Sequence, residues 1–335
     1  MTQALIVTSE TDLHADVVIE KLNSSRVKPI RLNTETFIKQ SQYCFSWDAN
    51  SELQQQSLFF ADSLRSAKDV KVIWWRKPRH YNIAPEVTDL NAHKYCLDET
   101  KSLIQSLPGL FPHASWVNNL YALKLPARRI NQIPIAKELG ITIPPTIVTN
   151  QYEQLVDFVS FYKDCIIKPM DFSGFLHENV QYACYTSQIN LKTIENFKNS
   201  IHLAPVFVQK RIRKKAEYRV TLIGEKSFVC RIETNHLNDD QVDQDWRVIE
   251  PDKLVHKIDI LPEEFIRKLH LMLDNLKLNF GAFDIILGED DCLYFIELNP
   301  NGQWYWIELL TGLPMVNAMV DLIENLAFKE IYSIT

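Results

Sequence analysis

The chain contains no Cys-x-x-Cys pair, no Gly-x-x-x-x-Gly-Lys-Ser/Thr loop, no Gly-x-Gly-x-x-Gly after its first strand, and no apolar run approaching the roughly 18 residues that span a bilayer. Its six cysteines (Cys44, Cys96, Cys165, Cys184, Cys230 and Cys292) are scattered, with no histidine at ligand spacing. That argues against a zinc site or a disulfide framework and leaves most of them as small buried hydrophobes. The missing glycine motifs exclude the common P-loop and make a dinucleotide site unlikely, so any nucleotide must be held between two sheets. Positive charge is not in excess: the formal net charge is −6, which argues against a general nucleic-acid binder. The opening Met-Thr-Gln-Ala-Leu-Ile-Val-Thr lacks a basic region followed by a long apolar core, so a soluble cytoplasmic protein is expected. Internal repeats and low-complexity segments are absent.

What is present is an ordinary globular balance, 46% hydrophobic and 23% charged over 335 residues, enough for two or three packed subdomains. Ala4–Thr8 reads as a buried strand, Asp16–Leu22 as a helix and Val27–Leu32 as the next strand, the signature of a parallel α/β unit. Val70–Trp75 is a later strand, and a helical stretch from Leu90 to Leu107 closes a first domain over residues 1–115. A helix from Ala127 stops at Gly140. Then come a strand (Thr146–Thr149), a helix (Tyr152–Tyr162), a strand (Cys165–Lys168), a hairpin near Gly174, a helix (Leu191–Asn199) and a strand (Val206–Gln209), an α+β lobe within 116–212. Strands dominate residues 213–335, with a Tyr218–Ile223/Ser227–Ile232 hairpin, an amphipathic helix after Pro262 and a last helix at Met315–Leu326.

The most informative stretch is Phe280-Gly-Ala-Phe-Asp-Ile-Ile-Leu-Gly-Glu-Asp-Asp-Cys-Leu-Tyr-Phe-Ile-Glu-Leu-Asn-Pro300. Two β-rich runs flank Gly288–Asp291, whose composition suits a hairpin turn. With Leu287 opposite Cys292, Asp284 faces Phe295, and alternation puts Asp284, Phe295, Glu297 and Asn299 on one face. Two carboxylates and an amide are oxygen ligands suited to Mg²⁺. Acidic hairpin residues usually just face water, as Asp290 and Asp291 are expected to do, but Glu297 sits in a run apolar enough to be buried. A register change of one residue would separate Asp284 from the others.

Cationic residues offer several readings. Lys168 ends an apolar strand, where it either snorkels to solvent or reaches into a cleft. Arg219 shares a strand face with Glu217, and Arg247 follows Asp245-Trp246. Singly, each arginine is a surface ion pair; together, beside a carboxylate-bound metal, they describe a phosphoryl-transfer site. Lys210–Lys215 is a basic run that is a solvated hairpin, a dock for an acidic peptide, or a partner of nucleotide phosphates. Arg76 and Arg79 lie at a strand end where ligands of α/β sheets bind.

Taken together, these segments resemble the ATP-grasp ligases, in particular those that mature ribosomally made peptides of the microviridin type, the graspetides. The resemblance covers nearly the whole chain: the Leu-Ile-Val-Thr strand, Trp74-Trp-Arg-Lys-Pro-Arg79, Ala136-Lys-Glu-Leu-Gly140 into Ile143-Pro-Pro-Thr146, Glu217-Tyr-Arg219, Asp245-Trp-Arg247, and Glu297-Leu-Asn-Pro-Asn-Gly302 with Trp304-Tyr-Trp-Ile-Glu-Leu309. It implies an ATP-grasp fold with an N-terminal pre-grasp α/β domain, a small central α+β lobe and a C-terminal antiparallel-sheet domain. The activity implied is activation of Asp or Glu side chains of a precursor peptide as acyl phosphates, followed by ester or amide cross-linking to Thr, Ser or Lys. A ligase adding amino acids to a protein or peptide acceptor and a non-catalytic nucleotide-binding regulator are the alternatives. The resemblance further implies ATP and Mg²⁺ as cofactors and a precursor with a leader and an acidic core as partner, and it admits a homodimer. It makes Lys168 a phosphate ligand, Gln209, Lys210 and Ile212 the adenine hinge, and Glu217 the ribose ligand. Asp284, Glu297 and Asn299 become the metal ligands, with Arg219 and Arg247 neutralising transferred phosphate. A second ATP-binding lysine of the family aligns with Arg129, with Lys124 one turn earlier as its substitute. Arg76, Arg79, Arg211, Arg213, Lys214, Lys215 and Asp245 are assigned to the peptide. The phosphate-covering loop has one glycine, Gly174.

Overall fold

Four parallel strands open the fold, β1 (Gln3–Thr8), β2 (Lys28–Asn33), β3 (Val70–Trp75) and β4 (Ser115–Val117), in the order β2-β1-β3-β4, with β1 buried at every position. The computed structural model describes residues 2–45, 56–60, 63–66, 69–170, 175–177, 180–182, 186–234 and 254–329. A parallel sheet is covered on both sides, so β1 is a continuous apolar run without alternation. Leu5 and Ile73 enter one core while Ile6 and Trp74 enter another. Helix α1 (Leu13–Leu22) makes the β1–β2 crossover, and Asp12 caps it by accepting from the His14 amide at 3.3 Å. A three-stranded antiparallel sheet (Ser41–Phe45, Gln56–Phe60, Ser63–Ser66) follows that the sequence pattern did not announce. Helix α2 (Leu90–Gln105) precedes β4.

Helix α3 (Arg129–Glu138) starts two residues later than the pattern predicts and ends where Gly140 takes φ +63°, a left-handed conformation open to glycine. The central lobe follows the expected spans closely. β5 (Thr146–Thr149), α4 (Tyr152–Tyr162) and β6 (Cys165–Lys168) are joined by β7 (Ser187–Ile189), α5 (Leu191–Asn196, shorter than expected) and β8 (Val206–Lys210). Its sheet, β7-β6-β8-β5, is antiparallel and has a core of its own, with Leu155, Val159, Cys165, Ile194 and Val208.

The last sheet is antiparallel, in the order β11-β10-β9-β12-β13: β9 (Lys214–Ile223), β10 (Lys226–Thr234), β11 (Leu254–Ile258), β12 (Phe280–Gly288) and β13 (Leu293–Asn299). Helices α6 (Glu263–Asn275), α7 (Tyr305–Thr311) and α8 (Met315–Phe328) cover it. Both cores of the first sheet continue into this one, through Phe283 and Leu298 on one side and Cys230, Trp304 and Met319 on the other. Among the described residues no helix is long and apolar enough to cross a membrane.

The β12–β13 hairpin corrects the expected register. Leu287 lies opposite Leu293, not Cys292, and Ile285 opposite Phe295. Continued unbroken, that pairing would turn Glu297 away from Asp284. A bulge at Ile296 absorbs one residue, so Asp284 faces Glu297 and Ala282 faces Asn299. Phe295 is therefore not beside Asp284. It is buried on the other face against Phe283, with ring centroids 6.3 Å apart.

Candidate functional site

The antiparallel central sheet and the antiparallel C-terminal sheet meet across a cleft lined from both sides. One wall carries Lys168 at the end of β6 and the Gln209–Ile212 segment leaving β8; the other carries Glu217 of β9, Asp284 of β12 and Glu297 of β13, with Arg129 from α3 between them. Sequence alone could not bring these walls together, because residues 168 and 284 share no local element.

Each carboxylate has a cation. In the β9–β12 ladder Arg219 is directly opposite Asp284, and its Nη1 donates to Asp284 Oδ1 at 2.5 Å. Arg129 Nη2 donates to Glu297 Oε2 at 2.9 Å, while its Nη1 donates to the Pro169 carbonyl at 2.8 Å, so one guanidinium spans both walls. Its Cζ lies 5.8 Å from the Phe207 ring centroid. Asn299 Nδ2 donates to Asp284 Oδ2 at 3.2 Å, which turns the amide nitrogen toward the acid; offering its oxygen to a cation there requires the amide to rotate. Glu217 is paired with Lys214. Three buried polar atoms of this region have no partner: Gln209 Oε1, Arg129 Nε and Arg219 Nε. Buried polar atoms are normally bonded, so an orphan acceptor on the Gln209 wall and two orphan guanidinium donors beside two carboxylates are unmet hydrogen-bonding capacity around the cleft. The acceptor is aimed by Thr146, whose Oγ1 receives Gln209 Nε2 at 2.9 Å. Two carboxylates and an amide also suit Mg²⁺, which takes one or two protein carboxylates and fills its remaining positions with phosphate and water.

Other sequence-singled residues lie elsewhere. Arg76 is corrected from a ligand-facing role: it is 1% exposed, its Nη1 donates to the Asn301 and Gly302 carbonyls at 2.7 and 3.3 Å, and its Nε lies 3.5 Å from Asp12. Its fork ties the first sheet to the loop after β13 and leaves no face for a substrate. Asp12 also accepts from Thr8 Oγ1 at 2.6 Å. Burial alone would raise its pKa, but the His14 hydrogen bond, Arg76 and Thr8 outweigh that and hold the carboxyl at about 2. His14 is kept neutral, its pKa lowered by burial, and its Nε2 accepts from the amides of Trp304 and Tyr305 at 2.9 and 3.1 Å. Arg79 is exposed, with its amide on Thr34 Oγ1 at 2.8 Å. Of the two alternatives on the linker, Arg129 reaches the cleft, whereas Lys124 is exposed over the Tyr121 ring. The basic run is not one surface. Arg211, paired with Asp164 at 2.8 Å, and Lys214 line the cleft; Arg213 and Lys215 are exposed, Lys215 bonding Asp291 at 2.5 Å. Asp245, Arg247 and Gly174 lie outside the described residues. Sequence reasoning passed over Thr146 and Gln132; the latter's one signal was its place a turn after Arg129.

This two-sheet cleft, preceded by a parallel α/β domain, is the ATP-grasp fold. Residues 3–124 match the family described as the MvdD pre-ATP grasp domain. No curated protein matches the chain at a significant level. Among solved structures it resembles a RiPP-associated ATP-grasp ligase of Chryseobacterium gregarium in complex with ADP and a leader and core peptide, with a TM-score of 0.87, 23% identity and 97% of both chains covered. It also resembles the macrocyclase MdnC of Microcystis aeruginosa bound with precursor peptide MdnA, with a TM-score of 0.82, 22% identity, and 97% of this chain and 100% of that one covered. D-alanyl-alanine synthetase A of Vibrio cholerae shares the fold more distantly, with a TM-score of 0.58, 12% identity, and 97% and 98% coverage.

Proposed function

We propose that the chain is a cytoplasmic ATP-dependent ligase that activates Asp or Glu side chains of a ribosomally made precursor peptide and cross-links them to Thr, Ser or Lys side chains, releasing ADP and phosphate. The observation that carries this reading is the cleft itself, where two arginine-held carboxylates, Lys168 and an orphan hinge acceptor face one another across two sheets. The N-terminal match to the MvdD pre-ATP grasp domain and the likeness to peptide-bound ligases support the peptide as substrate.

In this reading Gln209 Oε1 and the Lys210–Ile212 backbone hold the adenine, Glu217 the ribose, and Lys168 and Arg129 the phosphates. Asp284, Glu297 and a rotated Asn299 hold Mg²⁺, which supplies charge neutralisation at the phosphate oxygens. A peptide carboxylate oxygen attacks the γ-phosphorus, the bond to ADP breaks, and Arg219 offsets the negative charge on the transferred group. A hydroxyl or amine of the same peptide then attacks the acyl carbon and phosphate leaves, with the proton passing to solvent. Arg247 is assigned to the same phosphate and is tested in the same assay. The cleft supplies positioning and fixed charge in place of a covalent intermediate with the protein. The test incubates the chain with ATP, Mg²⁺ and an acidic, Thr-rich precursor. Loss of one water per ring from a single peptide, with matching ADP release, is expected. A gain of residue mass would assign the chain to ligation of separate molecules, and no ADP release with any acceptor would leave a nucleotide-binding regulator.

A further inference from the structure

Resting on the ligase reading, we propose that Gln132 is a positioning residue for the metal-holding pair Glu297 and Asn299. β13 is an edge strand: β12 pairs with it on one side, and no strand among the described residues pairs with the other. On that open side Gln132, 1% exposed, takes the place of a neighbouring peptide unit. Its Oε1 accepts from the Leu298 amide at 2.8 Å, and its Nε2 donates to the Leu298 carbonyl at 2.8 Å and to the Pro126 carbonyl at 2.7 Å. Both backbone groups of one residue are thus fixed by one side-chain amide, and all three bonds are well formed. Leu298 is the residue between Glu297 and Asn299, so its peptide planes set the direction in which both side chains leave the strand. The strand needs this support here, because the bulge at Ile296 interrupts the ladder immediately before Glu297. One helical turn earlier on α3, Arg129 holds the Glu297 carboxylate, so one helix fixes the acid's tip and the backbone beneath it. Gln132 does not line the cleft. It acts as a support behind metal ligands, where lost partners typically cost about 10- to 100-fold in metal affinity.

The test measures Mn²⁺ binding by electron paramagnetic resonance with a non-hydrolysable ATP analogue present, beside melting temperature and the kcat and KM of the reaction. Gln132→Met is expected to weaken Mn²⁺ binding by about 10-fold or more and to lower kcat, with peptide KM and metal-free nucleotide affinity unchanged. Gln132→Glu, which keeps the length and the acceptor for the Leu298 amide but loses both donors, is expected to lie between it and the wild type. A folded Gln132→Met or Gln132→Glu protein with a lowered melting temperature and wild-type Mn²⁺ affinity would overturn the assignment. So would failure of both variants to fold, which would make Gln132 a residue of the fold. If the wild-type chain takes up no nucleotide-dependent Mn²⁺, the ligase reading has failed instead.

Discussion

The two walls of the cleft are built differently. The C-terminal sheet and the first sheet share both large cores, and buried polar side chains stitch them together: Arg76 and His14 reach the loop after β13, Asn118 bonds the Phe280 and Pro300 carbonyls at 2.8 Å each, and Gln132 holds Leu298. The central lobe has a separate core, and at the cleft it meets the other wall through Arg129 and the Pro169 carbonyl. The carboxylates therefore stand on a body tied to the first sheet, while Lys168 and the hinge stand on a unit with a core of its own. The contrast also separates two kinds of buried arginine. Arg76 spends its charge on carbonyls and a capping acid and serves the fold; Arg219 and Arg129 hold cleft carboxylates.

The strongest way to break this contrast is at the carboxylate wall. Asp284→Ala and Glu297→Ala are each expected to abolish ADP release in a chain that still folds, with the melting temperature lowered more by Asp284→Ala, which strands the buried Arg219 guanidinium; retained turnover would sink the assignment. Arg219→Ala should cost about 10³ in kcat. An unchanged kcat with a raised peptide KM would move Arg219 to docking. Arg76→Met, by contrast, should cost about 3 to 5 kcal/mol in denaturant unfolding, since it strands the buried Asp12 carboxylate, with the activity of the folded fraction preserved.

Acid should act on the same network. Asp12 stands at about 2 against 3.8 in the unfolded chain, so its stabilisation is complete above about pH 4 and is lost as pH falls toward 2, about 1 to 2 kcal/mol after screening. His14, lowered from 6.5 by burial, adds a loss in the same direction below that pH, because the unfolded chain takes the proton first. Asp12→Asn should flatten the lower part of this profile, and an unchanged unfolding curve between pH 5 and 2 in the wild type would refute the network's role. The smallest effect belongs to the exposed cations. The Lys215–Asp291 pair is worth under about 1 kcal/mol, and neutralising Arg213 and Lys215 should leave ATP affinity intact while reducing the salt dependence of peptide binding. A parallel fall in ATP affinity would assign them to the nucleotide with Arg211 and Lys214.

Much of the fold is local and was legible. The Thr146–Thr149 strand, the Tyr152–Tyr162 helix and the Cys165–Lys168 strand follow from period and stop signals, and Val70–Trp75 from a continuous apolar run. The strands between Ser41 and Ser66 were missed; their runs are short and carry no sustained alternation. The acids of the hairpin were found for a partly mistaken reason, since an assumed Leu287–Cys292 register stood in for an unseen bulge.

Residue types and short spacings in the sequence by themselves determined which groups could do chemistry: Asp284, Glu297 and Asn299 on one ribbon, Lys168 at a strand end, Gln209 in a hinge. Tertiary structure alone decided which of them meet. Arg76 and Arg129 are the same residue type beside equally suggestive neighbours, yet one is closed over by the Asn301 and Gly302 carbonyls and the other opens onto the cleft. An arginine's role depends on whether its fork is closed into the fold or holds a cleft carboxylate, and that is fixed by segments more than a hundred residues away.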